Sequence, residues 1–208
     1  MRELILKMSM SIDGFVSDLE GANKWMFGTD LEAKTWSVEA LWNASLHIMG
    51  SRTFLGMAGW WPTATDMFAP PMNEIPKAVF SRQGQAILAG ETMAAVDQAH
   101  TPADVRSPKL QPGAGSWLEA YVASGDLAEE VAALKSQEGK PIIAHGGASF
   151  ARSLITEGLV DQFVLLVHPV ALGKGVPVFS ELAAPLRLKL ESSRAFSGGA
   201  VAQIYRPA

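Results

Sequence analysis

The chain has 208 residues, 48% of them hydrophobic, with 17 Lys and Arg against 21 Asp and Glu and a formal net charge of −4. That is enough apolar material for one sizeable core, and too little basic surface for a protein that tracks a nucleic-acid backbone. There is no cysteine, which excludes disulfides, thiolate metal ligands and a cysteine nucleophile, and no apolar run approaches the roughly 20 residues of a membrane helix.

The N-terminal run Met1-Arg2-Glu3-Leu4-Ile5-Leu6-Lys7 breaks too early for a signal peptide, so a cytoplasmic protein is expected. Leu4 to Met10 reads as a buried strand. A loop follows with Asp13-Gly14, Asp18 and Glu20-Gly21. From about 30 to 44, Leu31, Trp36, Val38, Leu41 and Trp42 recur at roughly helical spacing. Leu46 to Met49 is a second strand, closed by Gly50. Pro70, Pro71 and Pro76 bracket a short irregular or helical piece, and Lys77 to Phe80 is a third strand. Residues about 83 to 115 hold Pro102, Pro108 and Pro112 with Gly84, Gly90, Gly113 and Gly115. They show no sustained apolar period and read as a long loop insertion.

Order returns at Leu118 to Val122. Asp126 caps a helix through about Gln137, with Leu127, Val131 and Leu134 on one side and Glu129, Glu130 and Lys135 outward. Pro141 to His145 is a strand. Gly146-Gly147 then lead into a helix carrying Phe150, Leu154 and Ile155, which Gly158 stops. Gln162 to Val167 is again a strand. The tail forms a hairpin, Leu186 to Phe196 and Ala200 to Tyr205, about Ser197-Gly198-Gly199. Strands alternating with helices before a terminal hairpin predict an α/β domain over residues 1–208, with a mainly parallel sheet and an antiparallel edge.

Ligands of open α/β sheets bind beyond the carboxyl ends of the strands. Three such ends carry suitable groups. His145-Gly146-Gly147-Ala148-Ser149-Phe150 runs from strand to helix, where glycines permit close approach and the helix N-terminus suits a pyrophosphate. Gly50-Ser51-Arg52-Thr53 and Phe80-Ser81-Arg82 each add an Arg that can fork onto a phosphate. Together they suit a dinucleotide carrying an extra 2′-phosphate. A P-loop, a G-x-G-x-x-G after the first strand and histidine metal spacing are all missing, so no metal site is expected. Gly147-Ala148-Ser149-Phe150-Ala151 is a degenerate nucleophile elbow, and Asp161 and His168 follow in hydrolase order; a serine hydrolase using Ser149 is a minor alternative. A nucleotide-binding protein without catalysis is another.

Four segments resemble the dihydrofolate-reductase-like superfamily, specifically the C-terminal reductase domain of the riboflavin-biosynthesis protein RibD and its stand-alone bacterial relatives. They are Met8-Ser9-Met10-Ser11-Ile12-Asp13-Gly14-Phe15-Val16, Met49-Gly50-Ser51-Arg52-Thr53-Phe54, Lys77-Ala78-Val79-Phe80-Ser81-Arg82, and the stretch from Gly146-Gly147 through Gly158-Leu159-Val160-Asp161 to His168-Pro169 and Gly173-Lys174-Gly175. The resemblance implies a three-layer fold with helices on both sheet faces, a homodimer, and NADPH as cofactor. Gly50, Ser51, Arg52, Thr53, Ser81 and Arg82 would hold its adenosine end. Gly146, Gly147, Ala148, Ser149 and Phe150 would take the pyrophosphate, and Ser9, Gly14 and Val16 would flank the nicotinamide. Ser51 stands where the family usually has Arg.

The implied reaction is a hydride transfer to a pteridine, pyrimidine, folate-like or other conjugated substrate. Trp25 to Asp30 has the W-x4-D spacing of the segment that grips the pterin in dihydrofolate reductases. Asp30 is therefore a candidate for substrate anchoring or proton supply, although a helix N-cap explains it as well. Asp13 is the second candidate, with an ordinary Asp-Gly turn as the plainer reading. Trp25 and Ala144 would border the substrate, and Trp60 and Trp61 are further stacking candidates.

Overall fold

The structure, a computed structural model, describes residues 1–28, 30–100 and 109–208. The chain opens with β1 (Leu4–Ser11) and β2 (Phe15–Ser17), then α1 (Leu31–Trp42), β3 (Leu46–Gly50), α2 (Ser51–Ala58), α3 (Ala69–Glu74) and β4 (Lys77–Phe80). It continues with α4 (Glu91–His100), β5 (Tyr121–Ala123), α5 (Leu127–Ser136), β6 (Ile142–Ala144), α6 (Ala148–Thr156) and β7 (Gln162–His168). β8 (Val176–Pro177), β9 (Leu188–Ala195) and β10 (Val201–Pro207) complete it.

Eight strands form one sheet in the order β5-β4-β3-β6-β1-β7-β10-β9. The six from β5 to β7 are parallel. β10 runs antiparallel to both β7 and β9, which makes the hairpin edge. β2 and β8 pair separately.

Side-chain alternation divides the core between the two sheet faces. Ile142 and Ala144 of β6 join Leu6, Leu46 and Ile48 in a cluster closed by Val131 and Leu134 of α5 and Ala151 and Leu154 of α6. Ile143, one residue out of phase, joins Met49 and Val79 in a cluster with Leu41 of α1, Phe54 and Ala58 of α2 and Met72 of α3. The runs are continuously apolar because both faces are covered, as the parallel part of a sheet requires.

The segment 83–115 departs from the predicted loop. It contains a 3-10 turn at Gly84–Ala89, α4, and another 3-10 turn at Ala114–Trp117. Ile87, Met93 and Trp117 are buried against Phe54 and Met49. Frequent Gly and Pro hid these short apolar contacts, which are too few per element to show a period. Pro102 and Pro108 lie outside the described residues.

This topology creates the crevice. β3 and β6 are neighbours, but the chain leaves β3 through α2 on one face and leaves β6 through α6 on the other. The carboxyl ends of β3 and β6 are thus a switch point, where connections diverge and a ligand can enter.

Candidate active site

Two helices begin at the crevice. α2 starts after Gly50 and α6 after Gly147, and neither glycine offers a side chain to cap the first-turn N–H groups. The helices approach closely because these positions lack a Cβ. One built on Gly50 would lie 3.1 Å from Phe150 Cβ, and one on Gly147 would lie 3.2 Å from Thr53 Oγ1. Gly146 has φ +82 and is joined to Gly147 by a cis peptide. Two uncapped N-termini side by side present several free donors and two positive dipole ends to one anionic group.

Around this pair, Arg52 and Arg82 are exposed, and neither has an ion pair among the described residues. Ser51 instead donates to Phe80 O at 3.2 Å, tying α2 to the end of β4. Ser81 is buried; its amide donates to Ala123 O, and its hydroxyl accepts from the Gln83 amide at 3.2 Å. Phe150 packs on Phe80, with ring centroids 4.9 Å apart. Ala148 is half-buried, and Ser149 is exposed in the first turn of α6. The predicted phosphate-binding residues therefore gather around the ends of β3, β4 and β6. Free backbone donors and exposed arginines are the groups a phosphate takes as hydrogen-bond partners.

The second half of the site lies on the α1 face of the sheet. Lys7, Ser9 and Ser11 alternate along β1, beside Val164, Leu166 and His168 of β7. Lys7 has no hydrogen-bonded or ion-paired acceptor among the described residues; its Nζ lies 6.0 Å from the Trp36 ring. Burial pushes its pKa down to about 8. His145 follows β6 in the strand position next to Lys7, and its amide donates to Ile48 O. Its ring stacks edge-on against His47 at 4.5 Å. Burial, then the charges of Lys7 and Lys77, hold the His145 pKa down to about 3, so it is neutral. Trp25 meets His168 edge-on at 5.5 Å. Trp25 Nε1, His145 Nε2 and His168 Nε2 are all buried without a hydrogen-bond partner among the described residues.

Sequence reasoning did not single out Lys7; it named His145 only at the strand end before the glycine pair and His168 only in hydrolase order. A lysine in the middle of an apolar strand was the available signal for Lys7. The histidines needed the three-dimensional neighbourhood.

The two predicted acids are occupied elsewhere. Asp30 caps α1: Ala33 N–H donates to Oδ1 at 3.0 Å, and Gly198 N–H, in the turn between β9 and β10, donates to Oδ2 at 2.6 Å. Asp13 accepts from Ser11 Oγ at 2.5 Å and from the amides of Leu172 and Gly173, the latter at 2.7 Å. These bonds hold both carboxyls below the usual range, the Ala33 amide dominating at Asp30 and the Ser11 hydroxyl at Asp13. Both are thus ionised acceptors with their oxygens engaged.

Gly14 takes φ +87 in the Asp13 turn, and Val16 is buried on β2. Ala144 is wholly buried, backbone included, between β1 and β3. Trp61 packs on Phe68 and Trp60 is exposed beyond α2. Asp161 receives the Leu4 amide and pairs with Lys135 at 2.5 Å. It precedes β7 while His168 ends it, roughly 20 Å away at strand rise, so Ser149 gains no acid–base pair from them. A surface cleft of about 690 Å³ lies between α1 and the β9–β10 turn, lined by Asp30, Glu32, Trp36, Glu39 and Arg194 among others. None of the glycine-rich crevice residues lines it, and its acidic rim does not suit a dinucleotide.

Comparison with known proteins bears on this arrangement. A family model described as RibD C-terminal domain matches residues 2–202. YyaP of Bacillus subtilis (strain 168), described as uncharacterized, is 41% identical over 87 residues, which are 42% of this chain and 46% of that protein. YwjB of the same organism, also described as uncharacterized, is 37% identical over 65 residues, 31% of this chain and 37% of that one. The matched stretches span less than half of each curated relative.

Among solved structures, a diaminohydroxyphosphoribosylaminopyrimidine deaminase/5-amino-6-(5-phosphoribosylamino)uracil reductase from Thermotoga maritima aligns at TM-score 0.66 and 19% identity, over 100% of this chain and 57% of that one. A pyrimidine reductase-like protein from Corynebacterium diphtheriae aligns at 0.65 and 18%, over 100% and 92%. Dihydrofolate reductase from Enterococcus faecalis, complexed with NADP(H) and RAB-propyl, aligns at 0.57 and 11%, over 99% and 96%. At these identities the structural likeness establishes the fold, which is dihydrofolate-reductase-like.

Proposed function

The chain belongs to the RibD C-terminal domain family, and from that premise we propose that it is an NADPH-dependent reductase of a small heterocyclic or otherwise conjugated substrate. One observation carries the reading. Two uncapped helix N-termini meet at the topological switch point, with unpaired Arg52 and Arg82 beside them. Ser51, Thr53, Ala148, Ser149 and Phe150 complete the proposed cofactor surface, and Ser9, Gly14 and Val16 border its far end. The nicotinamide, when bound, supplies the hydride.

The chain's own work is to orient the acceptor and supply a proton. Lys7 is the group best placed to do the second. It sits on the substrate side of β1 with no competing acceptor, and its pKa of about 8 keeps it protonated at neutral pH yet acidic enough to transfer. Asp30 and Asp13 then serve as anchors of the loops around the substrate rather than as acids. Trp25 supplies a flat wall for a conjugated ring. The protein is further proposed to act as a single domain and as a homodimer, the free outer edge of β9 being the surface open to a second copy.

The test is NADPH oxidation, followed by absorbance, with a panel of oxidised pteridines, aminopyrimidines and conjugated carbonyl compounds. Turnover that Lys7→Met lowers roughly 100-fold at unchanged NADPH affinity supports the assignment. Tight NADPH binding without turnover on any of them would favour the non-catalytic alternative.

A further inference from the structure

We infer that His168 is a substrate-specificity residue, forming with the indole N–H of Trp25 a notch that takes a carbonyl or carboxylate oxygen of the substrate. The inference rests on the reductase reading for the word substrate, but the notch itself rests on geometry. His168 ends β7 and is buried, 8% exposed. Its position in the sheet is beside Ser11, on the face that carries Lys7 and Ser9. Trp25, from the 3-10 turn Lys24–Met26, closes over it, ring centroid to ring centroid 5.5 Å at 76°.

Both groups are left with an unmet hydrogen bond. Trp25 Nε1 and His168 Nε2 are each buried and without a partner among the described residues, and native proteins seldom leave two such atoms together unsatisfied. An indole nitrogen can only donate, so the missing group must accept. Burial, followed by the nearby Lys7 charge, lowers the pKa of His168. The ring is therefore neutral at pH 7 and can offer Nε2–H without adding charge.

Among the described residues no carboxylate is hydrogen-bonded to the notch. The acids of the flanking loops, Asp13 and Asp30, have their oxygens engaged by backbone amides. The indole N–H and the Lys7 ammonium can only donate, and neutral His168 can present Nε2–H beside them, so the site favours oxygen acceptors over amidine-like or amino-substituted edges.

The experiment compares two flat probes of the same shape and opposite hydrogen bonding, benzoate and benzamidine. Protein labelled with 15N-tryptophan, with and without NADP⁺, is titrated with each, and the Trp25 indole resonance is assigned by Trp25→Phe. The notch predicts that benzoate shifts this resonance saturably and that benzamidine does not. It also predicts that His168→Leu weakens benzoate at least fivefold while His168→Gln, which keeps a donor, retains most of the affinity. Benzoate binding that leaves the Trp25 resonance unmoved, a shift caused by benzamidine instead, or no response to benzoate in folded protein each overturns the inference. NADP⁺ affinity is read in the same samples: its loss would remove the reductase reading and leave the indole result to judge the notch alone.

Discussion

Lys7 is held in a setting that works against its charge. Its pKa falls from 10.5 unfolded to about 8 folded. Between those values the unfolded chain binds more protons, so stability rises with pH across that window, and at pH 7 the charged side chain destabilises the fold by about 3 kcal/mol. Lys7→Met is therefore expected to raise the thermal midpoint at pH 7 by several degrees while lowering turnover roughly 100-fold, a divergence that a merely structural lysine would not give. For wild type, kcat/KM should fall as pH rises through about 8, and Lys7→Met should lack that limb; a flat alkaline profile in wild type would remove Lys7 as proton donor.

Asp30 behaves in the opposite way. Its cap and its bond to Gly198 link α1 to the β9–β10 turn. Asp30→Ala should lower the thermal midpoint by roughly 3–5 °C, and Asp30→Asn, which still caps, should not. Because the folded-state pKa is lowered, this stabilisation is present above the ordinary carboxylate range and is lost as pH falls through it. The N-cap was legible in the sequence from the Asp followed by an apolar-periodic run. The Gly198 contact was not, because it joins residues far apart in the chain.

At the scale of elements, the junction of α2 and α6 is closely packed at two glycines. Gly50→Ala places a Cβ 3.1 Å from Phe150 Cβ. The backbone there, φ −77, accepts alanine, so any effect comes from forcing the helices apart. NADPH affinity should fall about tenfold with only a small loss of stability, measured by titration beside chemical denaturation; equal losses of both would mark the glycine as packing alone. The main strands and α1, α5 and α6 were readable because apolar runs, Asp30, Asp126 and Gly158 mark them. β8, two residues long, and α4, within a proline- and glycine-punctuated stretch, carried too little local pattern. Both are defined by what they pack or pair against. The proposed cofactor crevice was legible because glycines and arginines follow strands; the proposed substrate face was not, since Lys7, His145 and His168 look like isolated residues until the sheet brings β1, β6 and β7 together.

For the whole molecule, all of β9 after Leu188 is exposed, and its outer edge is unpaired among the described residues. A homodimer joined there predicts that sedimentation gives twice the chain mass and that Leu190→Lys, at an exposed position, shifts it toward monomer without unfolding. The central claim, however, is the cofactor crevice between β3 and β6. Its most direct test is a fluorescence titration of the purified protein with NADPH and with NADH. Micromolar binding of NADPH, tighter than that of NADH and weakened about tenfold by Arg52→Ala or Arg82→Ala, is the expected result. Absence of binding by either nucleotide, or NADPH binding indifferent to both arginines and to Gly50→Ala, would contradict the site.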